Sequence, residues 1–449
     1  MLSKLIASGM NIARSNMSHG EYGWHEQSIK NVRAAAKKAK TTVGILVDLQ
    51  GPKIRVGKMP EQGVELVSGS TVVFSTDPND KLPEFIPVGY KKLHEDVKPG
   101  EHMLFDDGLM DATVISISGC RVTAKIGTAG LLKSNKGMNL PDSDLQQRSI
   151  TAKDREDAKF ALKMKANWVA LSFVRDASDV LELRRMLGTD KLAPKIIVKI
   201  EKPQAVANFD AILEATDAVM VARGDLGVEI PAEQVPVVQK TIVAKCLKAG
   251  KPVVVATQML DSMIRNPRPT RAEVSDIANA VIDHADAIML SGETASGKYP
   301  VEAVQMMAAV AEETEKSHFD DMPADLSVGH ESIRRGIATA AALLAEKIGA
   351  KAILAATTSG ATARYIARVR PELPIYAVVP DETAAGAVVL SWGVTPIIVP
   401  KMKNLQLLIG AIKSKVKTLK LAKKGEKIVL VAGKWREKGE YIIETVEQR

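Results

Sequence analysis

Apolar residues in this chain fall into short continuous runs, and each run stops at polar residues. The runs are "NIARSN" (11–16), "VGILVDL" (43–49), "WVALSF" (168–173), "KIIVKIE" (195–201), "AVMVARGDL" (218–226), "VVVATQ" (253–258) and "AIMLSGE" (287–293). Their near-continuous apolar character predicts strands buried on both faces. Amphipathic stretches lie between them. In "ITAKDREDAKFALKMKA", Thr151 and Asp154 fit the start of a helix. Strand and helix in alternation predict a parallel sheet. The polar residues sit at successive strand ends: Arg14 and Asn16, Asp48, Ser172, Lys199 and Glu201, Arg223 and Asp225, Thr257, then Ser291 and Glu293. Such a series predicts the functional face of a β/α (TIM) barrel. A doubly wound sheet would gather its ligand at one switch point instead. A closed barrel of this type has eight strands. Seven runs are present, and the chain opens on a helical stretch, "MLSKLIASG".

Two further regions break this rhythm. Residues 56–148 hold "GVELVSGSTVVFS", "HMLFDDGLMDATVISISG" and "CRVTAKIGTAGLL", which predict an inserted β lid domain. From 327 to 449, "AILAATTSG", "PIYAVVP", "TPIIVP" and "KIVLVAG" alternate with helical stretches and predict a C-terminal α/β domain. The barrel is thus expected from 1–55 and 149–326, with "HFDDMPADLSVGH" (318–330) as the linker.

Composition narrows the function classes. The chain has 449 residues, 46% hydrophobic and 25% charged, which is ordinary for a globular protein of several domains. No apolar run reaches the roughly 18 residues of a membrane span, and the start turns polar too early for a secretory signal. Cys120 and Cys246 form neither a disulfide framework nor a metal-ligand spacing, which fits a reducing, cytoplasmic setting. The net charge is +8, with much of the excess in "AIKSKVKTLKLAKKGEK" (411–427). A solvated helix face explains that stretch; an anionic ligand is the alternative. Aromatic content of 4% argues against nucleic-acid binding by base stacking.

Lys199 and Glu201 raise a sharper question. Positions i and i+2 of a strand share a face. The two side chains therefore stand together at the end of "KIIVKIE". They are either a structural ion pair or a cation and a metal ligand aimed at one substrate.

The motifs "MNIARSNMSHG", "DLQGPKIRVG", "LLKSNKGMNLP", "KIEKPQAV", "MVARGDLGVEI", "ATQMLDSMIRNPRPTRAEVSDIANAV" and "IMLSGETASGKYP" resemble the pyruvate kinase family, in order, from residue 2 to at least 314. The resemblance continues more weakly beyond. It implies a barrel with an inserted lid and a C-terminal α/β domain. It also implies Mg²⁺- or Mn²⁺-dependent phosphoryl transfer from phosphoenolpyruvate to ADP, the last step of glycolysis. By resemblance, Glu201 and Asp225 hold the metal, and Lys199 stabilises the transferring phosphoryl group and the enolate oxygen. Arg14 contacts the phosphate. Ala222, Arg223, Gly224 and Asp225 bind the substrate's acid end. Thr257 lies near the enolate carbon, in a network with the weaker candidates Ser291 and Glu293. His19, Arg55 and Lys136 contact the nucleotide, Lys136 when the lid closes.

Asn16, Ser18, Asp48 and the backbone of Leu49 match the family's monovalent-cation site. Lys53 stands where potassium-requiring members carry glutamate, so its ammonium is expected to replace K⁺. In the C-terminal domain Thr357, Thr358, Ser359, Gly360 and Thr362 follow a strand, open a helix and could cradle the phosphate of an allosteric effector. Trp435 and Arg436 partly resemble a sugar-phosphate loop. The family also implies a homotetramer. Its members begin with a strand similar to "TKIVATIGP", which has no counterpart before "MLSKLIASG". A start assigned at an internal Met is expected; a true truncation and a substitute closing element are the alternatives. Other readings of the whole chain are a barrel aldolase or lyase and a non-catalytic effector-binding subunit. The former lack the lid, "MSHG" and "DLQGP", and the latter has no need of Lys199, Glu201, Asp225 and Thr257.

Overall fold

The computed structural model describes residues 1–143, 145–146, 148–190, 193–321, 333–433 and 441–447. Seven strands form one all-parallel sheet: Ile12–Asn16, Gly44–Asp48, Trp168–Leu171, Lys195–Ile200, Ala218–Ala222, Val253–Ala256 and Ala287–Met289. They are ordered in space as they are in sequence. Parallel strands in unbroken order leave no switch point, which is the TIM-like arrangement. Among the described residues the sheet does not close: the first and last strands each pair on one side only.

The strand period of two divides the sheet into two faces. Ile45, Val47, Val169, Leu171, Ile196, Val198, Ile200, Val219, Val221, Val253 and Val255 join the main core with helix residues such as Ile29, Ala161 and Ile212. The alternate residues Leu46, Trp168, Ala170, Ile197, Ala218, Met220, Val254 and Ala256 form a second cluster on the other face. Arg14, Asp48 and Lys199 continue that second face. Their alternate positions, Ala13, Val47 and Val198, belong to the helix-facing core. The inner face is therefore apolar along most of its length and charged at its C-terminal rim.

The lid carries a six-stranded sheet in the order Met138–Asn139, His102–Phe105, Met110–Ser118, Arg121–Ile126, Thr71–Ser75, Ile86–Pro87, beside the small pair Val64–Leu66 with Gly130–Leu132. It has its own core, in which the Phe74 and Phe105 rings stack 5.1 Å apart. The C-terminal sheet runs Val394–Ile398, Ile375–Val379, Ile353–Ala356, Lys427–Gly433, Tyr441–Glu447, the last strand antiparallel. Tyr441–Glu447 is a fifth strand beyond the four apolar runs of this region. Most of the linker 318–330, and both Trp435 and Arg436, lie outside the described residues. The basic stretch near 411 is a helix, Leu405–Thr418, that buries Leu408, Ile409, Ile412 and Val416 and exposes its lysines.

The helix Ala152–Lys163 starts as its sequence predicts. Thr151 and Asp154 form a reciprocal capping box. Asp154 is fully buried and does more: it accepts from Thr151 N–H (2.8 Å), Thr151 Oγ (2.6 Å) and Gly51 N–H (3.0 Å). One carboxylate thus fixes both the helix start and the chain's exit toward the lid. Asp154→Ala is expected to lower the unfolding free energy by about 2–3 kcal/mol, since it removes a cap and strands buried donors. Chemical denaturation checks this, and a loss below about 0.5 kcal/mol, the size of an ordinary surface change, would refute it.

Candidate active site

The charged rim of the inner face brings residues from four strand ends together. Lys199 is buried, and its Nζ lies 2.7 Å from Glu201 Oε1 and 3.6 Å from Asp48 Oδ1, and it donates to Ser172 Oγ at 2.9 Å. Ser172 Oγ in turn donates to Leu49 O at 2.8 Å. Arg14 pairs with Asp48 Oδ2, through Nη2 at 2.5 Å and Nε at 2.7 Å. Burial works against the charge on Lys199, but Asp48, Glu201 and Asp225 outweigh it and raise its pKa above the usual value. Burial likewise opposes the Asp48 carboxylate, yet Lys199 and Arg14 together hold its pKa below the ordinary range. Glu201 ends on the opposite side: complete burial raises its pKa, the Lys199 cation offsets only part of this, and the negative Asp225 adds to it.

Each Glu201 oxygen meets a different group. Its Oε2 accepts from Phe173 N–H at 2.7 Å. Its Oε1 is buried against the Lys199 ammonium at 2.7 Å. Asp225 stands on the short helix Arg223–Glu229, directly after the neighbouring strand. Two carboxylates at adjoining strand ends suit a hard divalent cation that takes its remaining ligands from substrate oxygens. Among the described residues no group of three His, Cys, Asp or Glu side chains forms a complete cage of its own.

The next strand end supports that helix. Thr257 holds a left-handed backbone with φ at 70°, as does Gln258 at 53°. Such conformations are costly for a β-branched residue. Here the turn aims Thr257 Oγ1 across the strand gap, where it accepts from Gly224 N–H at 2.8 Å and donates to Ala256 O at 2.6 Å. The Arg223 side chain turns away from the rim. It donates to Thr257 O (2.7 Å), Asp276 Oδ1 (2.7 Å) and Ala256 O (3.3 Å), so it ties the helix to its neighbours. Ala222 closes its strand as a buried residue. Glu293 is buried too, its carboxylate accepting from Leu260 N–H (3.1 Å) and Ser291 N–H (2.8 Å).

The remaining sequence candidates lie around this centre. His19 is exposed, and its carbonyl accepts from His25 Nε2 at 2.8 Å. Arg55 donates to Asn135 O at 2.8 Å, within the lid junction. Lys136 pairs with Asp106 at 2.7 Å. In the monovalent-cation set, Asn16 Oδ1 accepts from Ser18 N–H at 3.1 Å, Asp48 faces Arg14 and Lys199, and Leu49 O faces Ser172. Lys53 forms its ion pairs elsewhere, with Asp225 at 3.4 Å and the lid's Asp107 at 4.0 Å. In the C-terminal domain Gly360 has φ at 82°, its N–H donates to Thr357 Oγ1 at 3.0 Å, and Ala361–Ala367 is the helix that follows. Ser359 O accepts from Arg364 Nη1 and from Lys195 Nζ, both at 3.1 Å. Thr358 and Thr362 belong to the same turn and helix start.

Sequence reasoning passed over Phe173, Lys202, Asn139 and Glu229. Phe173 carries φ at 54° and orients Glu201, but nothing in its own identity signals a left-handed backbone. Lys202 and Asn139 meet at Glu229 across the lid junction, a contact between residues up to 90 positions apart.

The chain matches two family models: "Pyruvate kinase, barrel domain" over residues 1–304 and "Pyruvate kinase, alpha/beta domain" over residues 335–441. It is 44% identical over 438 residues to a pyruvate kinase of Geobacillus stearothermophilus, covering 96% of this chain and 74% of that protein. It is 43% identical over 445 residues to one from Clostridium acetobutylicum, covering 96% and 92%. With the Corynebacterium glutamicum enzyme it shares 40% over 430 residues, covering 96% and 90%.

Arg223→Lys is expected to lower the unfolding free energy by about 2 kcal/mol, because lysine keeps the charge but loses the planar fork that serves two carbonyls and Asp276. Denaturation midpoints measure this. Wild-type stability in the variant would show that charge alone suffices there.

Proposed function

The chain belongs to the pyruvate kinase family, and on that premise we propose that it transfers the phosphoryl group of phosphoenolpyruvate to ADP, giving pyruvate and ATP at the end of glycolysis. The observation that carries this is the line Arg14–Asp48–Lys199–Glu201, buried from Asp48 onward, with Asp225 beside it, at one rim of a TIM-like sheet. Phosphoryl transfer asks for charge neutralised and groups held in line rather than for covalent chemistry by the protein.

Each residue then has a physical task. Lys199, held charged by three carboxylates, meets the negative charge that develops on the transferring phosphoryl group and on the enolate oxygen. Arg14, anchored on Asp48, faces the same phosphate. Glu201 and Asp225 hold Mg²⁺ or Mn²⁺, which supplies further charge neutralisation and a fixed template for the phosphate oxygens. The turn Ala222–Arg223–Gly224–Asp225 receives the substrate's carboxylate, and Thr257 holds that turn and stands near the carbon that takes up a proton. His19, Arg55 and Lys136 line the nucleotide side, Lys136 arriving with the lid at 56–148. The barrel at 1–55 and 149–326 and the C-terminal domain at 327–449 complete this division of labour, in a cytoplasmic homotetramer.

Two finer readings belong here. The first is that Lys53 replaces K⁺. Its ammonium beside Asp225 supplies a fixed positive charge at the rim, and Asp48 in the monovalent set already faces two cations. The second is that Thr357, Thr358, Ser359, Gly360 and Thr362 bind the phosphate of an effector. The C-terminal strand order supports it, since the Ile353–Ala356 strand lies centrally, between Ile375–Val379 and Lys427–Gly433. The loop after such a strand is where open α/β sheets take ligands.

The test is pyruvate release from phosphoenolpyruvate, ADP and Mg²⁺, coupled to lactate dehydrogenase, with tetramethylammonium replacing K⁺ at constant ionic strength. Turnover is expected, and adding K⁺ should change it less than about twofold, far below the effect of losing one charge-stabilising group. No turnover with or without K⁺ contradicts the activity; a large rise on adding K⁺ contradicts the Lys53 assignment alone.

A further inference from the structure

One buried carboxylate joins the lid to the metal and substrate side of the rim. Glu229 ends the helix that begins at Arg223, and its side chain is 1% exposed. Its Oε1 accepts from two directions: Asn139 Nδ2 at 2.7 Å and Lys202 Nζ at 2.6 Å. Asn139 belongs to the lid. It pairs with Leu104 on the His102–Phe105 strand, and that strand leads straight into the turn Asp106–Asp107–Gly108. All three turn residues have positive φ. Asp106 carries Lys136, and Asp107 faces Lys53. A Cβ placed on Gly108 would lie 3.7 Å from Val228, so the same turn also rests on the helix one residue before Glu229. Lys202 follows Glu201 directly. A cleft lined by Lys53, Asn139, Phe173, Arg175 and Lys202 opens beside this joint.

A buried ion pair is weak evidence for stability, since apolar residues often serve as well. The arrangement does fix geometry. We propose that Glu229 is a positioning residue that couples the seating of the lid to the rim. Its Asn139 arm sets where the lid turn that bears Asp107 and holds Lys136 through Asp106 comes down. Its Lys202 arm sets the backbone that presents Glu201, and the helix between them presents Gly224 and Asp225. Lid seating and the metal face are therefore not independent. This rests on the reading of the rim as the phosphoryl-transfer site.

The two arms can be cut separately. Asn139→Ala frees the lid and leaves the Lys202–Glu229 pair intact; Lys202→Met releases the Glu201 side and leaves Asn139 in place. The expected signatures differ. Asn139→Ala should lower kcat/KM for ADP by about tenfold, the scale of one hydrogen bond to a charged group, with KM for phosphoenolpyruvate little changed. Lys202→Met should raise the Mg²⁺ needed for half-maximal rate by a similar factor. A merely structural role would reduce kcat in both variants through a smaller folded fraction and leave KM values and Mg²⁺ dependence alone; that result overturns the proposal.

Hydrogen exchange decides the joint without turnover. Adding phosphoenolpyruvate with Mg²⁺ should protect amides at 102–107 and 136–139 in the wild-type chain, and this protection should be lost in Asn139→Ala. Equal protection in both, or none in the wild type, overturns the coupling. A wild-type chain with no turnover but with ligand-linked protection that Asn139→Ala abolishes would refute the catalytic reading and leave the joint standing.

Discussion

Lys199 is a cation buried at the end of a strand, and the site is arranged around the need to keep it charged there. Desolvating an ammonium costs several kcal/mol unless carboxylates stand close by. Asp48 and Glu201 do so at 3.6 and 2.7 Å. Asp48 in turn requires Arg14, and Glu201 is oriented by its second oxygen, which accepts from Phe173 N–H. With Asp225 and Lys53 added, the rim carries three carboxylates and three cations in one balanced set. A divalent cation held by Glu201 and Asp225 would add positive charge there, which a polyanionic substrate would offset.

The backbone makes this arrangement inexpensive to hold. Strand periodicity places Arg14, Asp48 and Lys199 on the inner face, register partners of Leu46, Ala170 and Met220 on the neighbouring strands. Hydrogen-bonded neighbours keep the charges at fixed separations with no loop to order. Left-handed turns at Phe173 and Thr257 then redirect the chain, so that Glu201 and the Arg223–Glu229 helix are held by backbone N–H groups and a hydroxyl. The strand that ends in Lys199 begins in Lys195, which donates to Ser359 of the C-terminal domain. Burial pulls the Lys195 pKa down to about 8, with Arg364 nearby adding to the effect.

Much of this was legible along the chain, for local reasons. The i, i+2 spacing of Lys199 and Glu201, the polar stop after each apolar run and the Thr151–Asp154 pair all depend on neighbours a few positions away. The unbroken strand order follows from the repeated strand–helix alternation. What was not legible depends on distance in sequence or on unadvertised backbone. Asp154 reaches Gly51 across 103 positions and Asn139 reaches Glu229 across 90. A phenylalanine in left-handed conformation carries no sequence mark of it. Lys53 shows the limit from the other side: the motif around it points to a cation site near Asp48, while its ion pairs run to Asp225 and Asp107. Glu201 alone would pass for a simple ion-pair partner; that the Phe173 N–H fixes its second oxygen is seen only in three dimensions.

The Lys199 assignment is tested most directly by kcat of Lys199→Met and Lys199→Arg beside the wild-type chain, with the folded fraction of each taken from circular dichroism. A positively charged group acting on the transferring phosphoryl predicts a fall in kcat of about 10²- to 10³-fold for the methionine variant and a smaller fall for arginine. A folded Lys199→Met chain that turns over within tenfold of wild type would contradict it, and would reduce the Lys199–Glu201 pair to an ion pair of the fold.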